Sequence, residues 1–249
     1  MPWPDNTTEA IFKALELCAA CDHYERFGEQ HDGGYIMCLD DAPPGSVVGA
    51  LSYGINGYDQ WGTDVSLHFG VPVYEFDCFD ARAPTSGGNL AFRAECAKSA
   101  RDNSTDPKFK TILEHLAETG LAGAPAASLI MKMDIEGAEW RILAEEPAET
   151  LAKFRQLIFE LHSFDNLGLH PTALAALQKL RAAGFVPTHL HGNNCCPMMV
   201  VGPYQVPKVL EVTWVRLPRN QTCAKSMAYH LALDADNSGW ASLPDPVLP

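Results

Sequence analysis

The stretch LIMKMDIEGAEWRIL, residues 129–143, decides how the rest of the chain is read. Leu129, Ile130, Met131 and Met133 make an apolar run of strand length, and Asp134, Glu136 and Glu139 follow at once, with Gly137 among them. Two readings compete. In one, the strand simply ends and the acids favour the N-terminus of the next helix through its macrodipole. In the other, the end of the strand is a functional edge, because ligands of open α/β sheets bind outside the carboxyl ends of the strands.

Working outward, the same pattern recurs. SVVGALSY (46–53) is an apolar strand candidate that runs into the Gly- and Asn-rich turn GINGYDQWG (54–62). A helix is expected over 60–69 and a strand over VPVYEFD (71–77). Before them, Ile11, Leu15 and Cys18 stand at helical spacing within 7–21, after Thr7 or Thr8 as caps, and DGGYIMCLDD (32–41) is a turn into a short strand. NLAFRAECA (89–97) reads as a strand, and DPKFKTILEHLAETG (106–120) as a helix with Pro107 near its start and Gly120 past its end. Downstream come a helix over 138–152, the strand QLIFELH (156–162), a helix over 171–183, and the strands GFVPTHLHGN (184–193) and KVLEVTWVR (208–216).

This alternation predicts an α/β fold: a mostly parallel sheet with helices on both faces and a terminal antiparallel hairpin, since the last strands lack a long helix between them. No repeat or linker interrupts it. One domain over 1–249 is expected, with an N-terminal helix-and-strand extension (1–45) and a C-terminal tail (217–249).

Composition narrows the function. The chain has 18 basic and 31 acidic residues, formally −13, without the Lys/Arg cluster that a phosphate backbone requires, so nucleic acid is not an expected partner. No apolar run reaches the length of a membrane span, and no secretion signal is visible. Eight cysteines and Asn-x-Ser/Thr acceptors at Asn6, Asn103 and Asn220 lean towards a secretory lumen or the cell exterior, with a cytosolic enzyme holding buried thiols as the alternative. Cys18 and Cys21 form a CxxC without a second pair, which argues against structural zinc. Cys195 and Cys196 are adjacent and would need a partner such as Cys223.

The strand-end rule gives a list of candidates. Tyr53, Gly54, Ile55, Asn56 and Gly57 form the first turn, where glycines let backbone approach a ligand, with Asp59 beyond it. Glu75 and Asp77 end the second strand. Asp77, roughly 20 residues past the turn, is placed to bind ribose hydroxyls. Because the turn lacks a full G-x-G-x-x-G, a nucleoside without a pyrophosphate fits better than a dinucleotide, and S-adenosylmethionine is the candidate. Asp134 and Glu136 follow the third strand, Glu160 and His162 the fourth, and His189, His191 and Asn193 the fifth. His162 or His191, as neutral imidazole, could take a proton from a hydroxyl; the same edge could equally hold a divalent metal, which is not assigned. Trp61 could lie against adenine or acceptor, whereas Trp3, Trp140, Trp214 and Trp240 read as packing. His23, His31, His68, His115, His170 and His230 read as structural.

MKMDIEGAEWRIL resembles the signature of the FkbM-type methyltransferases, and RFGEQHDGGYIMCLDD, SYGINGYDQW, VYEFDCFD, IFELH and HLHGNNC resemble successive blocks of that superfamily's eukaryotic methyltransferase-like branch, over about residues 21–216. The resemblance implies a class I, Rossmann-like S-adenosylmethionine-dependent fold with a seven-stranded sheet. It implies methyl transfer to an oxygen of a small-molecule or glycan acceptor. It would place the Gly54 turn on the methionine part of the cofactor, Asp77 on the ribose, and Asp134 beside the sulfonium. Trp61, Glu160, His189 and Asn193 would face the acceptor. Class I enzymes commonly carry an acid two residues before the first glycine; here that residue is Ser52, and Asp59, Asp64 or Asp134 would substitute. The rivals are an NAD-linked oxidoreductase and a non-catalytic α/β ligand- or metal-binding domain. Cys21 and Cys38 are the expected disulfide in an oxidising compartment.

Overall fold

A computed structural model describes residues 6–84, 87–195, 198–201, 204–217, 222–226 and 231–237. Trp3, Cys196, Asn220, His230 and Trp240, singled out above, lie outside the described residues. The elements in chain order are α1 (Asn6–Ala14), β1 (Tyr24–Gly28), β2 (Gly34–Cys38), β3 (Gly49–Tyr53), α2 (Gln60–Phe69), β4 (Val73–Phe76), β5 (Leu90–Arg93), β6 (Cys96–Ala97) and β7 (Phe109–Lys110). They continue with α3 (Ile112–Glu118), β8 (Leu129–Met133), α4 (Glu139–Glu145), α5 (Ala148–Leu151), β9 (Phe154–Leu161), α6 (His170–Ala182), β10 (Phe185–Gly192), β11 (Met199–Val201), β12 (Tyr204–Val206) and β13 (Leu210–Arg216).

Seven strands form one sheet in the order β10-β13-β9-β8-β3-β4-β5. Every neighbouring pair is parallel except the two that β13 makes, so the sheet is α/β and Rossmann-like with one antiparallel strand inserted between β9 and β10. Chain order reverses between β3 and β8, which opens a crevice at their carboxyl ends. No helix among the described residues is long and apolar enough to cross a membrane.

Strand residues alternate between two cores, as the pleat requires. Leu51, Tyr53, Met131, Met133, Leu157, Phe159 and Leu161 pack in the core that also holds α1, α3, α4 and α6 residues. Ala50, Ile130 and Ile158 face the other side, with Trp61 and Val65 of α2 and with Phe27, Tyr35 and Met37 of the β1–β2 hairpin. Among the described residues it is the β1–β2 hairpin, rather than a crossover helix, that covers this second face over β9 and β13. Thr213 Oγ1 donates to the Ile36 carbonyl, and the Gln156 side chain bonds both the N–H and the C=O of Cys38.

Among the described residues there are three disulfides: Cys21–Cys38 as expected and Cys18–Cys223, which tie this periphery down, and Cys78–Cys96, which joins the end of β4 to β6. Cys223 therefore does not serve Cys195 or Cys196. Such bridges form and persist in an oxidising environment.

Several elements differ from the expectation. The first helix ends at Ala14 rather than near 21, because Cys18 pairs across to Lys225 and its N–H bonds Pro187 O at 2.8 Å. The helix expected over 138–152 is two helices broken at Pro147. Pro107 does not open a helix; Thr111 does, through a capping box with Glu114. The β11–β12 hairpin was not expected.

Candidate functional site

The carboxyl ends of β3, β4 and β8 enclose a cavity of about 470 Å³, lined among others by Tyr53, Gly54, Asn56, Asp77, Asp134 and Glu136. Backbone conformation marks the same edge. Asn56, Glu136 and Ser163 are non-glycine residues with positive φ (47°, 61° and 64°), and each follows the end of a parallel strand. Such conformations are uncommon outside glycine and cluster at ligand sites. Gly54 (φ +73°) admits no side chain: a Cβ there would lie 1.5 Å from the Asp134 carbonyl oxygen. Lys132, buried beneath, donates to the carbonyls of Gly54 (2.5 Å) and Tyr53 (3.3 Å), fixing the β3 turn against β8.

Asp77 has a different task from the one expected. Oδ2 accepts the N–H groups of Ile55 (3.0 Å) and Asn56 (2.8 Å), and Oδ1 those of Phe79 (2.9 Å) and Asp80 (3.0 Å). The carboxylate thereby joins two walls of the cavity, and its roughly four acceptor sites are occupied by backbone. A ribose would have to share or displace those bonds.

Three other expected contacts do not reach the cavity. Trp61 is fully buried in the core under α2. Asp59 caps α2, with Oδ1 accepting the Gly62 N–H at 2.9 Å. Glu75, 1 % exposed, shares this buried site: a Cβ on Gly62 would meet both Asp59 Oδ2 (2.5 Å) and Glu75 Oε1 (3.2 Å). Burial, and then the neighbouring Asp59 carboxylate, push the Glu75 carboxyl up to about 8, so at neutral pH the pair holds a proton rather than a ligand. The strand-end rule identifies the edge, but Asp59 and Glu75 point beneath it. Asp64 is likewise engaged, accepting from Gly28 N and Gln60 Nε2. Of the acids weighed to replace the one missing at Ser52, only Asp134 lines the cavity.

Beside the cavity lies a row of polar groups that sequence spacing only partly reveals. Glu211 of β13 stands opposite Glu160 of β9 on one side and opposite His191 of β10 on the other. One residue past the pair Met133–Phe159, Asp134 extends the row. Tyr35 from the hairpin lies over it, its hydroxyl donating to Asp134 (3.0 Å) and Glu160 (3.4 Å). Asn193 donates to Glu160 at 3.0 Å, and Asn237 donates to Glu211. Two acids directly opposite on adjacent strands repel. Burial first, then the charges of Asp134 and Glu211, raise the Glu160 carboxyl well above its ordinary range.

His162 stands at the end of this row. Its Nδ1 is 3.1 Å from Glu139 Oε1, and Glu139 also accepts the Ile135 N–H. Its Nε2 faces Glu160 Oε1 (3.5 Å), Glu136 Oε2 (3.6 Å) and Asp134 Oδ1 (3.8 Å). Burial opposes the charged ring, but the Glu139 hydrogen bond and the charges of Glu139, Glu160 and Asp134 prevail and raise it to about 9. At neutral pH this ring carries its proton, which corrects the expectation of a neutral base. His191 (5 % exposed) lies two strands away and outside the cavity lining, with Nδ1 3.5 Å from Glu211 Oε2. His189 bonds Asp234 at 2.9 Å, anchoring the C-terminal segment rather than facing a substrate. His115 and His170 are buried and hydrogen-bonded, to Tyr53 and to Thr8, as structural residues would be.

Tyr35, Lys132 and Glu211 are the site residues that the sequence reading did not single out. Only Lys132 carried a signal, as a cation inside an apolar strand. No protein-family model matches the chain, and no curated protein matches it in sequence.

Proposed function

We propose that the protein is an S-adenosylmethionine-dependent methyltransferase acting on a hydroxyl oxygen of a small molecule or glycan. The observation that carries this reading is the acid-lined cavity at the sheet's switch point, beside a helix terminus already capped by a carboxylate. A volume of about 470 Å³ suits a nucleoside with an amino-acid arm. At the N-terminus of α2, where a pyrophosphate would seek free amides, the Gly62 N–H is already taken by the Asp59 carboxylate. That disfavours an NAD-type cofactor and supports a phosphate-free one.

When bound, the cofactor supplies an electrophilic methyl group. The chain's own part is positioning. Gly54 lets the β3 turn lie against β8, and Asp77 holds segments 55–56 and 79–80 as opposed walls. Asp134 and Glu136 offer carboxylates to a cationic ligand. Asp134 is also the one acid, among the described residues, shared by the cavity lining and the buried row, so it is placed to orient an acceptor hydroxyl towards the methyl group. His162, held by Glu139, balances the acids around it, and the proton released as the hydroxyl oxygen is methylated passes to the Asp134 carboxylate, which borders the cavity.

Calorimetric titration with S-adenosylhomocysteine and, separately, NAD⁺ tests the reading. Binding of the former alone, weakened tenfold or more by Asp134→Asn, is expected. Binding of NAD⁺, or of neither, would replace it with the oxidoreductase or the non-catalytic reading.

A further inference from the structure

The ligand-bearing atoms of Asp134, Glu160 and His162 lie within 4.8 Å of one another at the ends of β8 and β9. Two carboxylates and an imidazole from adjacent strand ends are a donor set for a divalent ion. Carboxylates alone would not establish a site, since exposed acids crowd together without one. The histidine changes this. His162 is 9 % exposed, and its Nε2, aimed into the cluster, has no hydrogen-bond partner among the described residues. An imidazolium serving only as counter-ion would close to about 2.8 Å on one carboxylate. Instead Nε2 stands off from three oxygens at 3.5, 3.6 and 3.8 Å. Those separations are too long for hydrogen bonds. They are close to the edges of a coordination polyhedron, where bonds of about 2.1–2.4 Å put neighbouring donors roughly 3.0–3.4 Å apart.

The surroundings fit the same purpose. Glu139 engages Nδ1 at 3.1 Å, which turns the opposite nitrogen into the cluster; ligating histidines are commonly oriented by a carboxylate in this way. Tyr35 holds Asp134 by Oδ2, the oxygen turned away from Nε2, and Asn193 holds Glu160 by Oε1, the one facing it, each at 3.0 Å. Lys132, the nearest fixed cation, sits 3.9 Å from Asp134 and spends its hydrogen bonds on the carbonyls of Tyr53 and Gly54. The cluster also has an open side: Asp134 borders the cavity, and the Glu136 side chain is 87 % exposed and could supply a further oxygen.

We propose that Asp134, Glu160 and His162 bind one divalent cation, which displaces the Nε2 proton of His162 to solvent, with Glu136 as an optional fourth ligand and the remaining positions open towards the cavity. The oxygen-rich set with one imidazole suits Mn²⁺ or a similar first-row ion better than a thiolate-seeking one. The site stands whether or not the cavity takes a methyl donor. If it does, the open positions would receive oxygens of the acceptor.

The test uses the full chain, disulfides intact, stripped with a chelator and titrated with Mn²⁺ while the free-ion spin-resonance signal is followed. One equivalent should bind, with Mg²⁺, Ca²⁺ and Zn²⁺ as competitors, and the melting temperature should rise with Mn²⁺ and fall back on chelation. Glu160→Gln and Asp134→Asn, which preserve shape, should each weaken binding at least tenfold. Absence of saturable Mn²⁺ or Zn²⁺ binding to the folded protein, or binding indifferent to both isosteric variants, would overturn the proposal and leave His162 as a counter-ion. S-adenosylhomocysteine affinity, measured on the same samples, separates this outcome from failure of the methyltransferase reading.

Discussion

Replacing Gly54 with alanine would put a methyl group 1.5 Å from the Asp134 carbonyl oxygen and 2.6 Å from its carbonyl carbon. Real Cβ contacts essentially never fall below 3.0 Å, so the ends of β3 and β8 would have to separate by about 1.5 Å (3.0 less 1.5). Three bonds hold them together: Asp134 N–H to Tyr53 O (3.1 Å), and Lys132 Nζ to Gly54 O (2.5 Å) and to Tyr53 O (3.3 Å). Losing two or three of these costs about 1 kcal/mol each. The left-handed backbone at φ +73° adds about 1–2 kcal/mol for any residue with a Cβ, giving a total of about 3–5 kcal/mol. Gly45 supplies the control. Its φ is +78°, and a Cβ there meets nothing within 4 Å, so Gly45→Ala should cost only the backbone term, about 1–2 kcal/mol. Urea denaturation of both variants should separate them by about 2–3 kcal/mol. Calorimetry should show S-adenosylhomocysteine affinity lost in Gly54→Ala and kept in Gly45→Ala. If the two differ by less than 1 kcal/mol, the close approach of β3 to β8 is not what requires glycine.

Asp77→Ala removes the acceptor for four backbone amides, so stability and cofactor affinity should fall together, by about 2–4 kcal/mol in the urea midpoint analysis; loss of affinity with stability intact would restore a direct ribose contact. Glu75 is raised to about 8 by burial and by Asp59, above its ordinary value of 4.5. The native state then keeps a proton that the unfolded chain has released, so the stability linked to this group is full below about 4.5 and is lost as pH rises towards about 8. Glu75→Gln should flatten the decline in melting temperature between pH 5 and 8, and an unaltered decline would show that another group causes it. Three disulfides take six of the eight cysteines, so thiol titration of the denatured, unreduced protein should find no more than two; eight would contradict the pairing.

The sheet was legible where the chain carries its own punctuation. β8 and β3 are short apolar runs that end at an acid or a glycine, and α2 carries its own caps, Asp59 before it and Gly70 after it. What failed depends on partners distant in sequence. Residues 15–21 have a helical pattern, yet Cys18 is held by Cys223, 205 residues away, and by the β10 edge, and those contacts outweigh local propensity. Pro147, which cannot continue a helix, divides the periodic stretch 138–152 into two helices. The candidate site shows the same division. Glu160 and His162 share a strand face by parity, so their proximity could be read. Glu211 could not, because it comes into register with Glu160 only through insertion of an antiparallel strand. The strand-end rule also gives no depth, so it placed Asp59, Glu75 and Trp61 at a cavity they do not reach.

The carboxylates after Met133 follow from which cover the sheet has. On the face covered by α4 and α6, strand residues stay apolar to their ends: Tyr53, Met133, Phe159 and Leu161 all belong to that core. On the opposite face, apolar Ile130 and Ile158 give way to Lys132, Asp134, Glu160 and His162 two and four positions on. A crossover helix laid over those positions would present an apolar stripe to them, and buried acids against such a stripe are costly. The β1–β2 hairpin instead brings the Tyr35 hydroxyl, and the 231–237 segment brings Asn237 to Glu211. A two-stranded hairpin is marginal by itself. This one is closed by Cys21–Cys38, and the segment leading into it is tied by Cys18–Cys223 to the chain beyond β13. The disulfides and the acid row therefore depend on each other: the bridges hold a polar lid over carboxylates that no helix could cover. Reduction should loosen the lid and hydrate the row before it melts the sheet, whose strands those two bridges do not join.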